Sequence, residues 1–229
     1  LNLKLLEEIK ILKSEPKKEE FENIKKEIAD EFEKLSQLNS EQLVAKLSSS
    51  DGWQRDMAQK LLVEKADKSV EKALENVTKT GNDLAKLHAI YSLEGLGFFS
   101  SFSTGEGWDE VKKANRNHNR GALLLQLAYD KFIPVSNASL KIFENLIRND
   151  ISQKTKYQSL LQKLSINAPI ESALQIALSS EPLDSQVKFT LLANILNKYG
   201  SSPIIKDAAM SSLGKSEFEF LKFLNKSLT

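Results

Sequence analysis

The sequence predicts an all-α protein built of stacked helix pairs, and three features of its 229 residues carry that expectation. Apolar residues recur at intervals of three and four through most of the chain, the spacing of one helical face. No segment alternates apolar and polar residues in the manner of a half-buried strand. The nine glycines and five prolines fall between the periodic segments rather than inside them, where they act as breaks. A chain of this length buries roughly 70% of its unfolded surface, so its core needs no disulfide or metal to hold it.

Two regions differ in texture: residues 1–35, a charged helical hairpin, and residues 36–229, the stacked helices. In the first, Leu1, Leu5, Leu6, Ile9 and Leu12 share one helical stripe. Ser14 and Pro16, with acids beside them, read as the cap and first turn of a second helix. Phe21, Ile24, Ile28, Phe32 and Leu35 carry that helix's stripe, and Lys and Glu fill its other face. The simplest arrangement is an antiparallel hairpin packed on the rest; the alternative is a coiled coil that binds a partner. From residue 40 onward, helix starts are expected at Ser40, Asp51, Asp67, Asn82, Ser136, Pro169, Asp184 and Ser202, residues that cap helices or fit their first turn. TGND, NAP, SSEPLD and YGSSP mark breaks between them.

Self-similarity at a fixed period marks a repeat architecture. Arg55 in RDMAQKLL, Lys86 in KLHAIYSL, Arg120 in RGALLLQL, Lys156 in KYQSLLQKL and Lys188 in KFTLLANIL each open an apolar helix. Their spacings are 31, 34, 36 and 32 residues, each enough for two helices and two turns. The pattern points to a HEAT/ARM-like α-solenoid of about five helix pairs, in which no pair buries its apolar face alone. Ala58, Ala89 and Ala193 allow close helix approach, and Leu61, Leu62, Leu93, Leu124, Leu127, Leu191 and Ile195 are the expected core. A non-repeating orthogonal bundle is the alternative.

The stretch DGWQRDMAQKLLVEKAD, Asp51–Asp67, shows what one unit contains. Asp51 fits a helix N-cap, with Gly52 and Trp53 in the first turn. Trp53 reads as a wedge between helices. Arg55 reads as a tie to a carboxylate, such as Asp56 or one on the next repeat, or to carbonyls, with its aliphatic stem packed. The functional alternative has both gripping a ligand. Preceded by LNSEQLVAKLSSS and followed by LAKLHAIYSLEGLG, the stretch resembles the HEAT-like helical region of large bacterial redox proteins. In those, a β-propeller similar to glucose/sorbosone (pyrroloquinoline-quinone type) dehydrogenases precedes the helices, and a c-type cytochrome commonly closes the chain. The motifs appear here as Asp51-Gly52-Trp53-Gln54-Arg55-Asp56-Met57-Ala58-Gln59 and Ala85-Lys86-Leu87-His88-Ala89-Ile90. IIKDAAMSSLGKSEFEFL is similar to the family's closing repeat. The likeness is strong over residues 39–97 and weaker over 184–221, and neither a propeller nor a haem motif lies in this sequence. It implies a linking or docking segment of such an enzyme, periplasmic or at the cell surface, in which His88 is an inner-face residue. The start at Leu1 rather than Met fits an excised piece.

Chemistry is sparse. There is no cysteine, which excludes disulfides, thiolate zinc sites and a C-x-x-C-H haem attachment within this segment. The two histidines, His88 and His118, fall on different repeats without metal-ligand spacing. No G-x-S-x-G, P-loop or G-x-G-x-x-G occurs, and GEGWDE at Gly105–Glu110 lacks the strand and third glycine of a phosphate cradle. With 32 Lys and Arg against 31 Asp and Glu, the chain lacks the basic excess of a nucleic-acid binder. No apolar run approaches a bilayer span, so no membrane insertion is expected. Phe98, Phe99, Phe102 and Trp108 crowd an irregular stretch, either packed on the helices or exposed as a partner's anchor. The leading expectation is a non-catalytic scaffold, without cofactor, for protein or adjacent-domain interaction. Its candidate interaction residues are Trp53, Arg55, His88, Phe99, Phe102 and Trp108. Two alternatives make it enzymatic: a HEAT-like DNA glycosylase using Trp53, Trp108 and Asp56, or an array lending residues near Trp53 and His88 to an attached dehydrogenase site.

Overall fold

The computed structural model describes residues 18–99, 120–149 and 151–227, and every regular element among them is helical. In chain order these are α1 (Lys18–Ser36), α2 (Ser40–Lys46), α3 (Gly52–Lys65), α4 (Glu71–Thr80) and α5 (Asp83–Gly95). A helix covering residues 120–127 (α6) follows. Then come α7 (Ile133–Asn149), α8 (Lys154–Ser165), α9 (Ile170–Leu178), α10 (Ser185–Tyr199), α11 (Pro203–Leu213) and α12 (Glu217–Ser227). Single 3-10 turns at Lys68–Val70 and Ile151–Gln153 lead into α4 and α8. All residues before Lys18 lie outside the described set, and with them the first half of the expected hairpin.

Short polar side chains set the starts. Asn39 and Gln42 form a capping box, each side chain taking the other's backbone N–H at 2.9 and 3.0 Å. Asp51 accepts the Trp53 N–H at 2.9 Å and Asn82 the Ala85 N–H at 2.8 Å, covering donors that the first turn leaves without partners. Pro169, Asp184 and Ser202 also occupy cap positions as expected. Two expected starts are displaced. Asp67 caps the 3-10 turn, so α4 begins only at Glu71. Ser136 falls inside α7, where its buried hydroxyl donates to the Ala128 carbonyl at 2.7 Å and ties α7 to the end of α6.

Most of the described helices pack on the next, on the next but one, or on both. One series runs α3, α5, α7, α9, α11, with every neighbour in it touching. The other includes α2 with α4, and α8 with α10 and then α12. Gly121 of α6 approaches Gln153 before α8, and Arg120 lies 3.9 Å from Glu71 of α4, so α6 belongs with the second series. The apolar stripes of both series meet in one core, where Leu61, Leu62, Leu93, Leu124, Leu127, Leu191 and Ile195 are all buried. A buried alanine serves each helix of the first series: Ala58, Ala89, Ala138, Ala173 and Ala209. Ala193, expected to do the same, is only half-buried, because α10 belongs to the other series. Near the N-terminus, α1 turns Leu35 inward onto the core, while Phe21, Ile24 and Ile28 stay 42–52% exposed.

The two series explain a slip in the repeat pattern. Arg55 and Lys86 open α3 and α5 of the first series, but Arg120, Lys156 and Lys188 lie on α6, α8 and α10 of the second. Among the described residues the 34-residue interval from Lys86 to Arg120 therefore runs from one series to the other, where the 31-residue interval before it stays within the first. Leu62 is 1% exposed and Leu84 42%. Leu62→Ala should accordingly lower unfolding free energy by about 2–5 kcal/mol, and Leu84→Ala by under about 1 kcal/mol, in urea titrations.

Candidate functional site

The first place to look for a site is the α3–α5 contact, because the sequence puts three candidates there. Trp53, in the first turn of α3, is half-buried and packs against the core. Arg55 donates from Nη1 to the Ser49 carbonyl at 2.7 Å, tying α3 to the turn before it. The expected carboxylate partner is not what it finds: Asp56 is 67% exposed and approaches His88 Nε2 at 3.9 Å instead. His88, on α5, meets Gln59 Oε1 of α3 through Nδ1 at 2.8 Å. Burial pulls the His88 pKa below the usual imidazole range, Asp56 opposes that shift, and the Arg55 charge adds to it. His88 thus joins two helices as a largely neutral side chain. All three candidates are explained by holding α3 in place.

The other basic openers do similar work across helix pairs. Lys86 on α5 reaches Asp130 in the α6–α7 turn at 2.8 Å, with both side chains less than a fifth exposed. Burial alone would raise the Asp130 carboxyl, but the Lys86 hydrogen bond, the Phe132 N–H and the Lys86 charge together hold it below its ordinary value. Lys188, 7% exposed, donates to the carbonyls of Glu181 and Ser212. Lys156 is exposed, and Lys154, two residues earlier, makes the bond to Asp184 at 2.7 Å. Phe98 and Phe99 are buried, at 4% and 5%, so Phe99 is a core residue and not an exposed anchor. Phe102, Trp108 and His118 lie outside the described residues.

What the sequence did not bring together is a groove across three consecutive helices of the first series. It has a volume of about 620 Å³ and is lined by Leu87 and Tyr91 of α5, Asn137 and Lys141 of α7, and Glu171 and Gln175 of α9. Asn137 turns its amide nitrogen toward the Glu171 carbonyl at 3.4 Å, and its buried Oδ1 has no hydrogen-bond partner among the described residues. Beside the groove, burial raises the Glu94 carboxyl pKa against the pull of Lys141, and burial with the Glu94 charge raises the Tyr91 phenol. The two series overlap in what they show to water. On α2, α4, α8 and α10 no large apolar side chain is exposed, but α12 of the same series shows Phe218 at 64% and Leu221 at 58%. On α5, α9 and α11, Leu84, Ile170, Leu178, Ile204 and Met210 are all at least 40% exposed. Periodicity could flag Leu84, Leu87 and Tyr91 as one stripe of α5; only packing shows that Asn137 and Gln175 lie beside them.

Among the described residues no group of three or more His, Asp or Glu side chains is placed to hold a metal ion, and no helix is long and apolar enough to cross a membrane.

Two outcomes follow from the α3–α5 contact. Trp53→Ala should lower stability by about 2–3 kcal/mol, less than for a fully buried tryptophan, and Arg55→Ala by about 1–2 kcal/mol, both read by urea unfolding. His88 has a lower pKa folded than unfolded, so on acidification the unfolded chain takes up the proton first. Its contribution is complete above the unfolded value of about 6.5 and is lost as pH falls from there toward the folded value. The melting temperature should therefore drop more steeply between about pH 7 and 5.5 in the parent than in His88→Gln.

A scan of protein-family models and searches of the curated proteins and the solved structures find no match to this chain.

Proposed function

We propose that the chain is a HEAT-like α-solenoid acting as a non-catalytic scaffold, which docks a protein partner or an adjacent domain on the face made by α5, α7 and α9. The observation that carries the reading is the groove lined by Leu87, Tyr91, Asn137, Lys141, Glu171 and Gln175. It crosses three successive helices of one series, as a surface generated by stacking does. Its lining mixes apolar stems with amide and charged tips, the composition of an interface rather than of a reaction centre. The packing of α3, α5, α7, α9 and α11 each on the next but one, with α8, α10 and α12 doing the same, supports the repeat architecture. The succession of helix pairs α2–α3, α4–α5, α6–α7, α8–α9 and α10–α11 among the described residues supports a reading of about five units.

The motif resemblance extends the proposal. It makes the docked unit a dehydrogenase-type propeller of an exported redox protein, with the helical array linking or positioning it. The two enzymatic alternatives find no support among the described residues: Trp53 is half-buried against the core, and Asp56 points to solvent beside His88.

Site-specific photo-crosslinking in the producing cell tests the docking face. A benzophenone side chain at Tyr91 should give discrete adducts, and one at Asn194, on the polar surface of α10, should give none. Equal yields at the two positions, or adducts only at Asn194, would overturn the reading. Leu87→Asp should abolish the Tyr91 adducts while shifting the melting temperature by only a few degrees, because Leu87 is partly exposed.

A further inference from the structure

The edge of the molecule carrying the turns within helix pairs holds two more cavities, one on each side of Tyr129. The first, about 350 Å³, lies between the α4–α5 and α6–α7 turns and is lined in part by Lys79, Asp83, Lys86 and Gln126. The second, about 420 Å³, lies between the α6–α7 and α8–α9 turns. Its walls include Ile133, Leu140, Leu164 and Ile176, and Lys163 stands on its lining. Tyr129, Asp130 and Lys131 line both. Tyr129 is 57% exposed, an aromatic ring standing in water between two hollows. Only Ile133 is shared with the groove on α5, α7 and α9.

Charge is uneven here. Together the cavities are lined by Lys79, Lys86, Lys131 and Lys163 against Asp83 and Asp130. Asp130 is already held by Lys86. Lys79, Lys131 and Lys163 have no carboxylate or carbonyl partner among the described residues. At the same position of other helices, Lys46 donates to Gln54 Oε1 and Lys198 to the Ala168 carbonyl, both at 3.2 Å. A lysine in the last turn of a helix complements the helix dipole, and that accounts for Lys79 on α4 and Lys163 on α8. It does not account for Lys131, which lies in a turn, nor for the exposed Tyr129 or the apolar hollow beside it.

We propose that this edge binds an acidic linear segment of a protein, seating one bulky apolar side chain in the larger cavity and its carboxylates on Lys79, Lys131 and Lys163. The apolar surface of the larger cavity comes from Ile133 and Leu164 over the buried Leu140 and Ile176, with Asn167 and Ser172 on its polar side. That mixture fits a phenylalanine or leucine side chain flanked by acids, whereas a phosphate backbone brings no apolar group to it. The edge is a second contact surface, separate from the docking face, and it holds whether or not that face is occupied.

Fluorescence anisotropy tests it with a short fluorescein-labelled peptide of Glu and Asp around a single Phe. Binding should saturate at low salt and weaken as salt rises, since exposed charges are screened. The variant Lys131→Glu with Lys163→Glu should weaken it about tenfold or more, as should Ala in place of the peptide's Phe, and Tyr129→Ala should weaken it severalfold. If the charge-reversed variant melts below the parent, Lys131→Gln with Lys163→Gln is read instead, with about a threefold loss expected. No binding by the parent chain, equal binding by the variants, or equal binding of the Ala peptide overturns the proposal. A single-stranded oligonucleotide that binds more tightly than the peptide overturns it too. Adducts from a crosslinker at Tyr91 should be unchanged in the lysine variants, which separates failure here from failure of the docking face.

Discussion

Every helix here depends on its neighbours for burial, because most are too short to persist alone. Isolated helices below about 12–15 residues are marginal in water. Yet α2 has seven residues, α9 nine and α4 ten. Their stability has to come from an apolar stripe covered by the next helix and the next but one. In the first series the cover is close because an alanine faces each contact: Ala58, Ala89, Ala138, Ala173 and Ala209 are buried with almost no exposed surface. A larger side chain at any of these positions would push two helices apart and open the core behind them.

Polar ties finish what burial begins, and they lie at the helix ends where backbone groups lack partners. Arg55 takes the Ser49 carbonyl, Lys188 the carbonyls of Glu181 and Ser212, and Tyr199 the Ala168 carbonyl at 2.7 Å. Tyr157, fully buried, donates toward the carbonyls of Leu140 and Ser179 and meets Phe143 edge-on at 5.0 Å. Burial raises its phenol pKa far above the ordinary value, so it stays a neutral donor under all ordinary conditions. The basic residues that make the sequence look periodic are thus mostly structural. Lys79, Lys131 and Lys163, outside that periodic set, line the cavities of one edge.

The outer surfaces of the two series overlap in character. In the second series α10 presents Gln186, Thr190 and Asn194 to water, while α12 exposes Phe218 and Leu221. Helices of the first series expose leucine, isoleucine and methionine, and between them lies the groove with Asn137 on its wall. The physical basis of the scaffold reading is this groove across α5, α7 and α9, a surface that stacking generates and that no single helix holds.

By itself the sequence determined the helical class, the core leucines and most helix starts, because these are local. A stripe at intervals of three and four fixes which face of a helix goes inward, and Asp51 or Asn82 fixes where it starts. It could not assign helices to series. Arg120 follows Lys86 at an interval close to the others, yet it lies on the opposite series, since spacing along the chain does not record which neighbour a helix packs against. It misplaced partners for the same reason: Arg55 beside Asp56 suggests a pair, but adjacent residues on a helix point apart. Only tertiary packing put His88 on Gln59, buried Phe99, brought Tyr91, Asn137 and Gln175 to one groove, and left Tyr129 exposed between lysines distant in the chain. Each of those facts depends on residues tens of positions apart meeting across helices, and nothing local encodes such a meeting.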